Sequence, residues 1–314
     1  MSRLAKLAWG VLALNVAVIL WGAYVRATGS GAGCGGHWPT CNGEVLPRAP
    51  GAATLIELSH RASSGVAFGA VMLLGVLVWR ATPPGHPARR PAVLGMALML
   101  CEVLVGAAIV LLGHVALDPS LAHGAFTEVH ACNTFLLLAA LTLTAHHLSG
   151  CPEPRLAGRG PLVISLAQSF VGFAFTALSG AIAALGDTLF PTHSLGEGLA
   201  QDFSPGAHLF LQLRTLHPVF AMLAFFFVFG GCTSLRARTG LSPESRALSF
   251  WVLVTICLQV ALGGLNLLLL APIPMQMLHL LAADVLFILL VMLSARALSD
   301  PRSEPVAPLA SATA

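Results

Sequence analysis

The sequence predicts an all-α membrane protein with eight transmembrane helices, arranged as two pseudo-repeated four-helix bundles. Three observations carry that reading. Hydrophobic residues make up 56% of the 314 residues and charged ones 9%, with a mean hydropathy of +0.84, whereas a soluble domain is about 25% charged. Apolar stretches long enough to cross a hydrocarbon core of about 30 Å recur along the whole chain. Four histidines, His60, His130, His217 and His279, each stand near the start of an alternate apolar stretch.

The expected spans are 7–25, 54–79, 92–112, 123–147, 161–186, 207–232, 247–271 and 274–295. The first follows Arg3 and Lys6 and has the outline of a signal peptide. It continues through Trp21 and Tyr24 with no small-residue cleavage site after it, so it reads as a helix. The second, fourth, sixth and eighth spans carry the histidines. The third carries Glu102-Val-Leu-Val-Gly106 and the seventh Gln259-Val-Ala-Leu-Gly263, one polar-xxx-Gly frame, with Gln168-Ser-Phe-Val-Gly172 in the fifth as a further copy. Such glycines serve first to let helices approach; here they also mark register. Residues 1–150 form one half and 161–299 the other, joined by the segment 151–160 with its Pro152 and Pro154, and 300–314 reads as a disordered tail.

Charge gives the orientation. Arg3, Lys6, Arg80, Arg89, Arg90, Arg155, Arg159, Arg236, Arg238, Arg246, Arg296 and Arg302 fall on one side of an eight-span chain, which places both termini in the cytoplasm and the protein in the cell membrane. The opposite side has Arg26 and Arg48, and its long loop 187–206 has Asp187, Glu197 and Asp202 but no basic residue. The net charge of +3 reports topology and gives no nucleic-acid signal.

In this register His60 matches His217, an offset of 217 − 60 = 157 residues. His279 then needs a counterpart in the fourth span, where His123 and His130 compete. His130 lies 17 residues before His147, as His279 lies 17 before Arg296, and is preferred. Histidines inside a membrane are costly without partners. Two pairs on facing helices can each ligate a haem iron from both sides. Zinc is disfavoured, because Cys, His and carboxylates do not cluster at ligand spacing. The halves differ at one point: Glu57-Leu-Ser-His60-Arg61 puts an acid one turn before the histidine, while Arg214-Thr-Leu-His217-Pro218 does not. Glu57 can move a proton at the haem edge, or it can be half of an ordinary i,i+4 pair with Arg61. In the first loop, Cys34 and Cys41 sit in a glycine-rich turn segment on the oxidising side, as a structural disulfide or a redox pair.

Gly22-Ala-Tyr-Val-Arg-Ala-Thr-Gly-Ser-Gly, Cys34-x6-Cys41 around Trp38-Pro39, Glu57-x-x-His60-Arg61, Leu216-His217-Pro218 and Met277-Leu-His279 together resemble haem A synthase across nearly the whole chain. The resemblance implies oxidation of the C8 methyl group of haem O to a formyl group, through a geminal diol that loses water, giving haem A for cytochrome oxidase. It implies that His60 and His130 bind haem O beside Glu57 as the essential acid, and that His217 and His279 hold a haem b. Haem O synthase would supply the substrate, and an electron donor or acceptor is required that has no signature here. Some members carry a second cysteine pair in the loop that here spans 187–206 and contains none. Glycine-rich helix faces permit a homo-oligomer without requiring one. Two other classes compete. A non-catalytic di-haem cytochrome b-type electron carrier would be indifferent to Glu57. A transporter with a four-helix repeat would use Glu102, Gln168 and Gln259 but leaves the histidines unexplained.

Overall fold

Every long apolar stretch is helical in the computed structural model, which describes residues 1–238 and 240–300. The order is α1 (Arg3–Ala27), α2 (Ala52–Ala81), α3 (Arg89–Leu111), α4 (Leu121–Leu148), α5 (Gly160–Leu189), α6 (Leu195–Asp202), α7 (Leu209–Arg214), α8 (His217–Arg236), α9 (Pro243–Leu268) and α10 (Ile273–Ser299). With α7 and α8 counted as one crossing, eight segments are long and apolar enough to span a bilayer. This is a multi-pass membrane protein. In the first loop an isolated bridge pairs Cys41 with Glu44.

Helices begin a few residues earlier than the apolar stretches because polar caps lie outside them. The hydroxyls of Ser2, Ser120 and Ser242 accept from the backbone N–H groups of Ala5, His123 and Ser245, satisfying donors that the first helical turn leaves open. Three expectations change. The sixth span, read as one helix over 207–232, breaks at Thr215 and Leu216, and α8 restarts with Pro218 in its first turn, where the missing N–H costs nothing. The loop 187–206 contains α6, capped by Ser194. Asp300, placed at the start of a disordered tail, is buried: Ser245 Oγ and Ser242 Oγ donate to its Oδ2 at 2.6 and 3.0 Å. Residues 301–314 lie outside the described residues.

α1 to α4 pack in a ring, α1 on α2, α2 on α3, α3 on α4 and α4 back on α1; α5, α8, α9 and α10 form a second ring. The rings meet where α4 touches α5 and α10, and where α1 touches α10 and α5. Phe135 of α4, Phe170 and Phe173 of α5 and Phe287 of α10 interlock at that seam, with ring centres 4.9–6.0 Å apart. Edge-to-face aromatic pairs such as these add about 0.5–1.5 kcal/mol beyond burial. Large apolar side chains such as Trp79, Leu104, Phe226 and Trp251 point outward, as lipid contact requires. Arg26, near the end of α1, ties the rings together: its guanidinium donates to Ala184 O at 2.6 Å, Thr188 Oγ1 at 2.7 Å and Gln276 Oε1 at 2.9 Å.

Candidate functional site

The four predicted histidines occupy one repeated setting. Each packs its imidazole on a glycine of the preceding spanning helix: His60 on Gly22, His130 on Gly106, His217 on Gly180 and His279 on Gly263. A β-carbon on those glycines would lie 2.9, 4.0, 2.9 and 3.0 Å from the histidine Cε1. Only a residue without a side chain lets a ring enter so close to three of these helices. In the fifth span the register mark Gly172 instead packs on Ala224 and Phe227, and it is Gly180, two turns further on, that faces a histidine.

His217 and His279 have ring centres 6.3 Å apart with planes at 88°. With metal–nitrogen bonds of about 2 Å, two imidazoles sharing one iron hold their centres about 6 Å apart, so the pair fits a haem axis. His217 Nδ1 lies 3.1 Å from the carbonyl of Thr176, which can only accept; the proton therefore sits on Nδ1 and Nε2 keeps the lone pair a metal needs. His60 and His130 lie within electrostatic reach of each other. The Nδ1 atoms of His60 and His279 are buried without a hydrogen-bond partner among the described residues, and that of His130 has only the Glu102 carboxylate at 3.4 Å, outside hydrogen-bond geometry. Each such group costs about 1–3 kcal/mol, which purely structural histidines have no reason to carry.

His123 is seven residues before His130, about 10 Å nearer the start of α4. Its Nδ1 donates to the carbonyl of Asp118 at 2.8 Å, in a turn where a hydrogen bond from His114, helped by Ser120, holds the Asp118 carboxyl down to about 2. His123 thus belongs to the α3–α4 loop, and His130 occupies the repeated glycine-backed position.

Glu57 is 3% exposed and fully engaged. Arg61 donates to its Oε1 from Nη2 at 2.5 Å and from Nε at 3.1 Å, and the backbone N–H of Cys34 donates to its Oε2 at 2.8 Å. Both sequence readings of the acid therefore hold geometrically: the i,i+4 pair exists, and the carboxylate is also held one turn before His60. The cysteine loop is part of the same assembly. Cys34 and Cys41 are disulfide-bonded, Arg61 Nη1 donates to the carbonyls of His37 and Thr40 at 2.7 Å, and Thr54 Oγ1 donates to that of Gly33 at 2.8 Å. A β-carbon on Gly33 would stand 2.4 Å from the carbonyl carbon of Ala53, so glycine is what lets the loop lie down on α2.

The second half closes differently. Arg214, at the end of α7, reaches Asp202 at 2.7 Å and Asp187 at 3.1 Å. Sequence spacing did not reveal this network, because its members come from α5, α6 and α7. The remaining cysteines are free thiols: Cys151 and Cys232 are buried, and Cys101, Cys132 and Cys257 are exposed.

Residues 5–291 match the family model described as COX15-CtaA, cytochrome oxidase assembly protein. Two Thermus thermophilus proteins named protoheme IX farnesyltransferase are 48% identical over 298 residues, 95% of this chain and 49% of theirs. The chain thus spans about half the length of these curated relatives. Proteins named heme A synthase are similar over shorter stretches: one from Bacillus mycoides at 40% over 116 residues, 37% of each chain, and one from Bacillus cereus at 43% over 98 residues, 31% of this chain and 32% of its own. The family match runs through all four glycine-backed histidines and the Glu57 assembly, and on that span the chain belongs to the COX15-CtaA family of cytochrome oxidase assembly proteins.

Proposed function

We propose that this chain is a haem A synthase, an oxidoreductase that converts the C8 methyl group of haem O to a formyl group. The observation that carries the reading is the inequality of two otherwise repeated histidine pairs within this family. His60 has the buried carboxylate of Glu57 three positions before it, whereas the matching position before His217 is Arg214.

In this reading residues 1–150 are the substrate half, in which His60 and His130 fix the haem O ring and Glu57 holds or moves a proton at its edge. Arg61 and the Cys34 N–H hold that carboxylate in place through three donated hydrogen bonds. Residues 161–299 hold a haem b through His217 and His279; when bound it supplies one-electron transfer, and this chain's part is to fix the axis and exclude water. Basic residues on the loops and termini opposite Cys34–Cys41 support a cell-membrane orientation with both termini cytoplasmic. Haem O synthase is the supplier. That proteins twice as long, one half of which matches this chain, bear a farnesyltransferase name supports close physical coupling of the two steps.

The test is Glu57→Ala, purified from cells that co-produce haem O synthase, with extracted haems separated by mass. Haem O retained without haem A is expected; unchanged haem A would refute the role of Glu57. The Arg61 pair, in which Nε and Nη2 both donate to Oε1, favours one competing reading, a di-haem electron carrier in which Glu57 is only structural. That reading predicts two haem b groups in the unaltered protein and neither haem O nor haem A.

A further inference from the structure

The polar-xxx-Gly frames of α3 and α9 do more than mark register. Gly106 and Gly263 face His130 and His279, and the polar residue four positions earlier touches the same imidazole in each half. Glu102 Oε1 lies 3.4 Å from His130 Nδ1, and Gln259 Nε2 lies 3.4 Å from His279 Nε2. The frame thus offers a carboxylate to one histidine and a neutral amide to the other.

The surroundings follow the same division. Asn133 Nδ2 and Thr134 Oγ1 both donate to the Glu102 carboxylate, and Asn133 also donates to Leu98 O at 2.9 Å. These residues stand three and four positions after His130. The same offsets after His279 are Ala282 and Ala283, which have nothing to donate. A carboxylate inside the membrane is costly unless donors meet it; Asn133 and Thr134 meet Glu102, whereas Asp284, five positions after His279, is buried with no partner among the described residues. Three positions therefore change together, Glu, Asn and Thr in one half against Gln, Ala and Ala in the other.

We propose that Glu102 is a positioning residue that makes the His130 iron site electron-rich, while Gln259, which meets His279 at Nε2 rather than Nδ1, gives that imidazole no charged partner. A carboxylate facing the outer side of an axial imidazole orients the ring and raises its basicity. It also favours the oxidised iron, which carries one more positive charge, and so lowers the site's potential. At equilibrium electrons then rest preferentially on the second site rather than the first. The inference rests on the reading of His130 and His279 as axial ligands.

The experiment is a spectroelectrochemical titration of the full chain with its haems bound, each one-electron step assigned by its loss in His130→Ala or His279→Ala. Glu102→Gln should raise the first-half potential by at least the 59 mV that corresponds to a tenfold change in the reduced-to-oxidised ratio of a one-electron couple, and leave the second step in place. Gln259→Glu should lower the second step and spare the first. It provides the readout if Glu102→Gln does not fold. Both haems bound with neither step moved in the two variants would overturn the proposal. Full haem occupancy and both steps intact in His130→Ala would instead overturn the ligand reading beneath it.

Discussion

Replacing each histidine-facing glycine by alanine separates the four sites by one number. At Gly22, Gly180 and Gly263 the new β-carbon would stand 2.9, 2.9 and 3.0 Å from a ring carbon, against 3.4–4 Å for ordinary contact, so the imidazole must retreat by about half an ångström. Overpacking of this kind costs about 1–3 kcal/mol. If that cost falls on the bound state, haem affinity weakens roughly 5- to 150-fold, at 1.4 kcal/mol per tenfold. At Gly106 the same atom would sit 4.0 Å from His130, in open contact. There the removal of helical glycine should add about 0.5–1 kcal/mol to stability. The assay is haem content per chain after purification, followed by the rate of haem transfer to an excess of an apo-globin acceptor. Gly180→Ala and Gly263→Ala should shed the second-half haem, Gly22→Ala should shed the first-half haem, and Gly106→Ala should behave as the unaltered protein. Equal loss from Gly106→Ala and Gly180→Ala would show that these glycines act in helix packing generally, and that the ring contacts mean nothing for haem.

Gly33→Ala should lift the cysteine loop off α2, because its β-carbon would meet the Ala53 backbone at 2.4 Å; haem A formation should fall while haem content stays near normal, and unaffected turnover would mean that the Cys34 N–H contact to Glu57 has no functional weight. Arg214→Ala strands Asp187 and Asp202 near the α7–α8 break; by comparison with buried pairs that lose one partner, discounted for partial exposure, the expected loss is about 2 kcal/mol, read as a lower thermal midpoint in detergent with second-half haem released first.

Hydropathy and histidine spacing made the eight crossings and the four histidines legible, because both follow from one-dimensional periodicity. The break between α7 and α8 was written in Leu216-His217-Pro218, yet a proline two residues into an apolar run also fits a continuous helix. Preference for His130 over His123 came from depth alone, and its physical basis, Gly106 behind the ring, appears only when α3 is laid against α4. Gly180 escaped notice because Gly172 shared the polar-xxx-Gly frame and the facing glycine of α5 does not. Arg26 reads as a loop charge and Arg214 falls inside the expected sixth span; their partners lie up to 250 residues away or on helices with no apolar signal, such as α6.

The two halves fix the same point by different chemistry. Each anchors the start of a histidine-bearing helix, with His217 on the first turn of α8 and His60 two turns inside α2. In the first half a disulfide-closed loop lies across α2 and is stitched to it through Gly33, Arg61 and Glu57. In the second, α7, which leads into α8, is tied to α5 and α6 by Arg214 and two aspartates, with no cysteine between 187 and 206. A covalent closure responds to reductant and ignores salt; an ion-pair closure does the reverse. Glu57 sits against the closure that redox conditions can open, while His217 follows one they cannot touch. Cys34→Ser with Cys41→Ser should therefore impair haem A formation and leave the His217–His279 site spectroscopically unchanged. Loss of the second-half haem in that variant would mean that the halves are held as a single unit across the Phe135–Phe287 seam.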